Sequence, residues 1–266
     1  MRSARTIALF CLVIGHGSII AVAQPATTDT CKLTIDSLRQ HAEAGEVAAQ
    51  NCLGDRYMHG VDVTRDPKQA LLWYRKAAEQ GNASGQEHVG NLYLYGYGVV
   101  EKSRTEAMSW FQKAAAQGNA DAQIAIGGLY KYGEGVSKDS AQAMSWFQKA
   151  AAQGSSLALV TIGDMYRDGD GVPQDYAQAM SWYQKAAAHG DFFAQVAIGD
   201  LYKNGEGVPR DSTQAVSWYQ KAAGQGYQGG NSLWDRCMKT ATESPRITCK
   251  QCSGTGRQRP KWISGQ

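Results

Sequence analysis

The chain has 266 residues, of which 19% are Asp, Glu, Lys or Arg, and a formal net charge of +3 at pH 7. A balance so close to neutral supplies no whole-protein attraction for nucleic acid or an anionic membrane, so neither is expected as a partner. Beyond the first residues no apolar run approaches the roughly 20 residues needed to cross a bilayer.

Residues 1–23 read as a secretory signal peptide. Arg2 and Arg5 precede an apolar stretch that begins at Ile7, and Ala21-Val22-Ala23 offers small residues for cleavage after Ala23. Gly15, His16, Gly17 and Ser18 interrupt the apolar run, which leaves it short for a membrane anchor. Cleavage removes two arginines and no acid, so the net charge falls from +3 to +1. The mature chain is therefore expected in the periplasm or outside the cell, with no transmembrane segment. Residues 24–45 form an N-terminal segment and a capping helix, since CKLTIDSLRQHAEAG at 31–45 aligns with the second half of the unit repeated downstream.

Residues 46–227 contain that unit five times. The run SWFQKAAAQG at 109–118 returns at 145–154, then as SWYQKAAAHG and SWYQKAAGQG, with a looser first copy LWYRKAAEQG at 72–81. Trp73, Trp110, Trp146, Trp182 and Trp218 mark the steps, of 37, 36, 36 and 36 residues. A fixed period in this range means stacked supersecondary units rather than one globular core. The copies are bounded at 46–82, 83–119, 120–155, 156–191 and 192–227.

Within the third copy, Ala122, Ile124, Ala125, Ile126, Leu129 and Tyr130 fall near helical spacing and predict a first helix of about three turns. Gly133 and Gly135 end it. Asp139 is placed to cap a second helix, with Gln142 three residues on, and the same pairing recurs as Asp66/Gln69, Ser103/Glu106, Asp175/Gln178 and Asp211/Gln214. The second helix carries Ala143, Met144, Trp146, Phe147, Ala150 and Ala151, then stops near Gly154. One such pair cannot bury both apolar faces, and stacking the copies buries them.

These features resemble the Sel1-like repeat family, a relative of the tetratricopeptide repeats. In the fifth copy they read Ala194 and Gln195; Ile198-Gly199-Asp200-Leu201-Tyr202; Gly205-Glu206-Gly207-Val208; Asp211; and Trp218-Tyr219-Gln220-Lys221-Ala222-Ala223. The resemblance implies an all-α, right-handed α/α superhelix with helical caps and the first helices lining one face. It further implies an exported, non-enzymatic scaffold that presents that face to a protein or peptide partner. Some members of the family bind or cleave β-lactams, which makes a hydrolase the remoter alternative. Against it, the serines that precede the tryptophans are positional filler, the histidines have no ligand or triad spacing, and the G-x-G-V loops lack the Lys-Ser/Thr of a phosphate cradle.

Residues 228–239, with Leu233, Trp234 and Met238, predict a C-terminal capping helix. The segment 240–266 is a basic, cysteine-containing tail expected to be flexible, with five basic residues and no acid after Ser244. Its Cys249-Lys250-Gln251-Cys252-Ser253-Gly254-Thr255-Gly256 resembles one zinc knuckle of the DnaJ-type cysteine-rich region, but structural zinc wants four ligands. Cys249 and Cys252 therefore stand between a metal pair, a reversible disulfide that would make the protein a redox- or zinc-responsive regulator, and a structural disulfide with Cys237. No other cofactor is expected. Cys31 and Cys52 bracket the first helical hairpin, at 14 residues before and seven after the turn at Gly45. An ideal hairpin would leave them about 10 Å out of step, so a bridge between them requires Cys31 to bend away from the helix.

Partner binding is expected where one copy departs from the others. At the start of the first helix Ala120 and Ser156 give way to Phe192, and Asp121 gives way to Leu157 and Phe193; Leu159 replaces the glutamine seen as Gln123 and Gln195. Leu157, Leu159, Phe192 and Phe193 are read as one candidate patch. Tyr95, Tyr97 and Tyr132 form a second at the loop edge, where later copies carry Asp168, Asp170, Asn204 and Glu206.

Overall fold

Each second helix begins where a side chain satisfies the amides that a helix start leaves open. Asp66 accepts from the amides of Lys68 and Gln69, Ser103 from Glu106, Asp139 from Gln142, Asp175 from Gln178, and Asp211 from Thr213 and Gln214. Four of the first helices are capped the same way, by Asn82, Asn119, Ser155 and Asp191. These local signals lay out the protein. The computed structural model describes residues 30–97 and 100–224. The signal segment, the predicted helix at 228–239 and the tail with Cys249 and Cys252 lie outside them.

Among the described residues there is a 3-10 turn, Thr30–Lys32, and eleven α-helices. The helices are α1 (Ile35–Glu43), α2 (Val47–His59), α3 (Pro67–Glu79), α4 (Ala83–Tyr95), α5 (Arg104–Ala116), α6 (Ala120–Tyr132), α7 (Ser140–Ala152), α8 (Ser156–Asp168), α9 (Tyr176–Ala188), α10 (Phe192–Asn204) and α11 (Ser212–Ala223). No strand occurs among these residues. α2 through α11 form five hairpins, and each hairpin packs against the one before it. α1 takes the place of a second helix and covers α2 through Leu38 and Ala42, which are buried against Ala49, Cys52 and Leu53. The result is an α-solenoid whose core is a row of similar clusters.

The pairing within a hairpin depends on one close approach. In α8, a β-carbon added at Gly163 would stand 2.5 Å from the ring of Tyr183 in α9. Only a residue without a side chain lets that ring lie on the helix backbone. Tyr183 and Tyr219 are fully buried up to their hydroxyls, which donate to Asp164 and Asp200 at 2.6 Å. Tyr74 does the same to Asp55 at 2.7 Å. Burial and the neighbouring carboxylate push Tyr74 and Tyr183 well above the ordinary tyrosine range, so both are donors at any physiological pH. Where the aromatic residue is Phe111 or Phe147, the acceptor position holds Asn91 or Gly128 instead. The two positions change together because a buried hydroxyl needs an acceptor and a phenyl edge does not.

A second ladder runs between repeats. Gln80 donates to Gln50 at 2.8 Å, Gln117 to Gln86 at 2.9 Å and Gln153 to Gln123 at 2.9 Å. Gln50 and Gln86 in turn donate to the carbonyls of Ala42 and Ala78 at the ends of the preceding second helices. Each lysine of the W-x-x-K segment lies over its tryptophan, from 3.7 Å for Lys149 on Trp146 to 4.1 Å for Lys113 on Trp110.

The N-terminal cap differs in one respect from the expected helix over 31–45. The α-helix starts only at Ile35, and Cys31 lies in the preceding 3-10 turn. This departure removes the axial mismatch, and Cys31 is bonded to Cys52 of α2 with their Cα atoms 5.2 Å apart. Arg56 of α2 pairs with Asp62 and donates to the carbonyls of Cys31 at 2.8 Å and Leu33 at 3.3 Å. At this position the later copies bury Leu92, Leu129, Met165 and Leu201. The exchange to arginine ties the turn to the first repeat.

Candidate partner-binding face

The surface a stacked array offers is decided by the helix positions that stacking leaves open. In α6 the inward side carries Ala122, Gln123, Ile126 and Leu129, all buried. The stripe opposite, at spacings of three or four, is Asp121, Ile124, Gly128 and Tyr132. These are exposed or half-buried, as are their counterparts in the later copies. Repeating the stripe along the array makes one face of first helices.

Along this face the chemistry changes. In α2 and α4 the middle of the stripe is polar: Asn51, Asp55, Glu87 and Asn91. In α8 and α10 it opens with Leu157 and Phe193, each 58% exposed, and continues with half-buried Val160 and Val196. Leu157 and Phe193 hold the same position in adjacent repeats, so they stand side by side at one edge. Phe192 meets Phe193 edge to face at 5.4 Å and packs on the cluster formed by Ala215, Val216, Tyr219 and Ala222 of α11. It is half-buried, serving the interface more than the surface.

Leu159 does not belong to the patch. It is 4% exposed and packs with Ala179, Met180 and Tyr183. Two residues along an α-helix turn a side chain by about 200°, so Leu157 and Leu159 face opposite ways. Leu159 stands in the glutamine ladder. Its expected partner position is occupied by His189, 30 residues on as in the Gln153–Gln123 pair, so both members of one rung have changed together.

The tyrosine cluster lies at the other end of the first helices. Tyr95 and Tyr132 end α4 and α6, and eleven residues of helix place them about 16 Å from the edge that carries Leu157 and Phe193. Tyr132 is 70% exposed, and Tyr95 meets Tyr97 edge to face at 5.7 Å. Tyr97 has a positive φ of 41°, in the loop that makes the second copy one residue longer than the three that follow it. The two predicted patches are therefore separate.

A polar cluster on the same face was not anticipated from the sequence. His88 of α4 lies against the ring of Tyr74 at 4.5 Å, 2.9 Å from Glu87 and 3.8 Å from Asp55. Glu87 is buried and also accepts from Asn91. Burial opposes charge on His88, but the hydrogen bond and charge of Glu87, with Asp55 and Asp121 nearby, outweigh it and raise its pKa. The signal lay in the repeat alignment: His88 stands where the other copies have Cys52, Ala125, Thr161 and Ala197. Among the described residues no group of three or more His, Cys, Asp or Glu is placed to hold a metal ion. No helix among them is long and apolar enough to cross a membrane.

The Sel1 repeat family model matches residues 47–82, 83–119, 120–155, 156–191 and 193–227. The chain belongs to the Sel1 repeat family. Among solved structures, the Sel1 repeat protein of Oxalobacter formigenes is 30% identical, with a TM-score of 0.70 over 83% of this chain and 96% of that one. The c5321 protein, a protective antigen of uropathogenic Escherichia coli strains, is 34% identical with a TM-score of 0.70, over 82% of this chain and 46% of its own. A 45-residue stretch is 44% identical to the secretory immunoglobulin A-binding protein EsiB of Escherichia coli, covering 17% of this chain and 9% of that protein. This Sel1 repeat chain thus spans about half of c5321 and a small part of EsiB.

Proposed function

We propose that this Sel1 repeat protein is a non-catalytic, exported scaffold that binds a protein partner through the first-helix face. The observation that carries the reading is the pair Leu157 and Phe193, two large apolar side chains at equivalent positions of adjacent repeats, each more than half exposed. Folding gains nothing from leaving both in water, and a partner that covers them does. Sel1 repeats serve as protein-binding arrays, and EsiB, which shares one short stretch with this chain, is named for binding secretory immunoglobulin A. Export rests on the predicted signal peptide with cleavage after Ala23, and on the Cys31–Cys52 disulfide, a bond that persists in oxidising compartments.

The test is site-specific cross-linking in the native host. A photoreactive phenylalanine at position 193 should capture a discrete partner, and one at exposed Gln112 on the second helix α5 should not. Leu157→Asp should lower the yield at 193 several-fold. Equal capture at the two positions, or none at 193, would overturn the face assignment. N-terminal sequencing of the mature protein tests the export reading, with Gln24 as the expected first residue.

A further inference from the structure

The two helices of a hairpin bury the stripes that face each other, so their exposed stripes look opposite ways, and the near-neutral total charge conceals a difference between them. Most acids of α2 to α11 lie on first helices: Asp55, Glu87, Asp121, Asp164, Asp168 and Asp200. The second helices α7, α9 and α11 contain no acid, and each carries one charged residue, Lys149, Lys185 or Lys221. Lys76 and Lys113 hold the same position in α3 and α5, where Glu79 and Glu106 are the acids. All five lysines are exposed, and none forms an ion pair among the described residues.

Packing sets these lysines in a file. Trp146 packs on the cluster that includes Phe111 of α5, and Trp182 on the one that includes Phe147 of α7. Trp110 and Trp218 reach the clusters of α3 and α9 in the same way. Each of these tryptophans therefore bridges to the preceding second helix, and in all five copies the lysine lies within 4.1 Å of its ring centroid. Packed helices stand on the order of 10 Å apart, so the ammonium groups follow one another at about that step. A lysine already held on a ring loses less side-chain freedom on meeting an anion than one that sweeps through water.

The file is one charge wide. A glutamine and a serine flank each of its central lysines, Gln148 and Ser145 in α7, Gln184 and Ser181 in α9, all exposed. No large apolar side chain is exposed on α5, α7, α9 or α11. A protein partner finds no aromatic or apolar anchor there, and a bilayer would gain from a broad basic surface rather than a single row. A linear polymer rich in hydroxyls, with a negative charge repeated at the length of a disaccharide, matches both the step and the flanking hydrogen-bonding groups. We infer that the lysine file binds an acidic polysaccharide with one carboxylate per disaccharide, laid across the second helices. Exposed pairs are weak singly, and one chain that engages several of them binds through their sum. The site faces away from Leu157 and stands independently of protein binding there.

The experiment uses the purified full chain and a fluorescent hyaluronan oligosaccharide of ten sugars, with binding read by anisotropy. Binding should appear at low salt and vanish near one molar, where the screening length drops to about 3 Å. K113Q/K149Q/K185Q should weaken it roughly ten-fold or more, since each exposed pair contributes a factor of about two to five. K113R/K149R/K185R, which keeps the cations, should retain most of the affinity. Q148E/Q184E leaves every lysine in place and should also weaken binding, so the test stands even where the neutral triple loses helical circular dichroism. The basic residues after Ser244 are present in every variant, so affinity that survives both the neutral triple and the added acids would overturn the inference. Equal binding of uncharged dextran, or tighter binding of poly-glutamate or of phosphatidylglycerol vesicles than of hyaluronan, would overturn it too.

Discussion

Two adjacent glycines in α6, Gly127 and Gly128, should respond to the same substitution with opposite signs. A β-carbon at Gly127 would stand 2.7 Å from Cε1 of Phe147 and 2.9 Å from Cδ1 and Cζ, whereas at Gly128 nothing lies within 4 Å. Carbon atoms prefer separations of about 3.5–4.0 Å, so at Gly127 a buried ring must move by nearly 1 Å. Alanine improves either position by about 0.8–1.0 kcal/mol in helix propensity. Overpacking in a filled core costs about 1–3 kcal/mol. Gly128→Ala should therefore stabilise by close to 1 kcal/mol and Gly127→Ala should destabilise by about 1 kcal/mol. The propensity term cancels in the difference of about 2 kcal/mol, which reports the steric term alone. Urea unfolding followed by circular dichroism measures it, with unchanged m-values required for the comparison. Adding Phe147→Leu should rescue Gly127→Ala and leave Gly128→Ala indifferent. The reasoning is refuted if Gly127→Ala proves as stable as Gly128→Ala.

Three further predictions address single contacts. Because His88 has a raised folded pKa, its contribution is full below its ordinary value of about 6.5 and is lost as pH rises through the folded value. The stability gap between the parent and His88→Gln should accordingly be larger at about pH 5.5 than at about pH 9; a gap that grows with pH contradicts the charge assignment. The Cys31–Cys52 bond spans a sequence separation of 21, for which loop closure is worth about 3 kcal/mol. The pair C31S/C52S should show its losses in hydrogen exchange over Val47–His59, with α8 to α11 little affected, as nearest-neighbour stability requires. Leu159→Gln buries an amide opposite His189 and should cost about 1–3 kcal/mol, most of it recovered by adding His189→Gln; a neutral single variant would show that the rung tolerates an unpaired amide.

The helix starts and the helix ends were legible in the sequence because their causes are local. A capping aspartate or serine, a run of alanines and a glycine that takes positive φ act within a turn of helix, and the five copies display them five times. The exposed pair Leu157 and Phe193 was legible for the same reason, as a departure from a repeated column. Leu159 was misread because departure alone does not say which way a side chain faces; the helix phase turns it into the core. The cluster of Tyr74, Asp55, Glu87 and His88 joins three helices of two repeats, so the residues appear unrelated until the array is stacked.

The sequence by itself determined that the chain is a stack of helical hairpins and where each begins, since capping and periodicity are properties of neighbouring residues. Only the tertiary structure decided which outward positions form a common face, how Cys31 reaches Cys52, and why tyrosine travels with aspartate and phenylalanine with asparagine or glycine. Those outcomes depend on distances between residues 19 to 31 apart in the chain, as in the Tyr183–Asp164 and Gln117–Gln86 bonds. Such distances exist only after one helix has packed on the next.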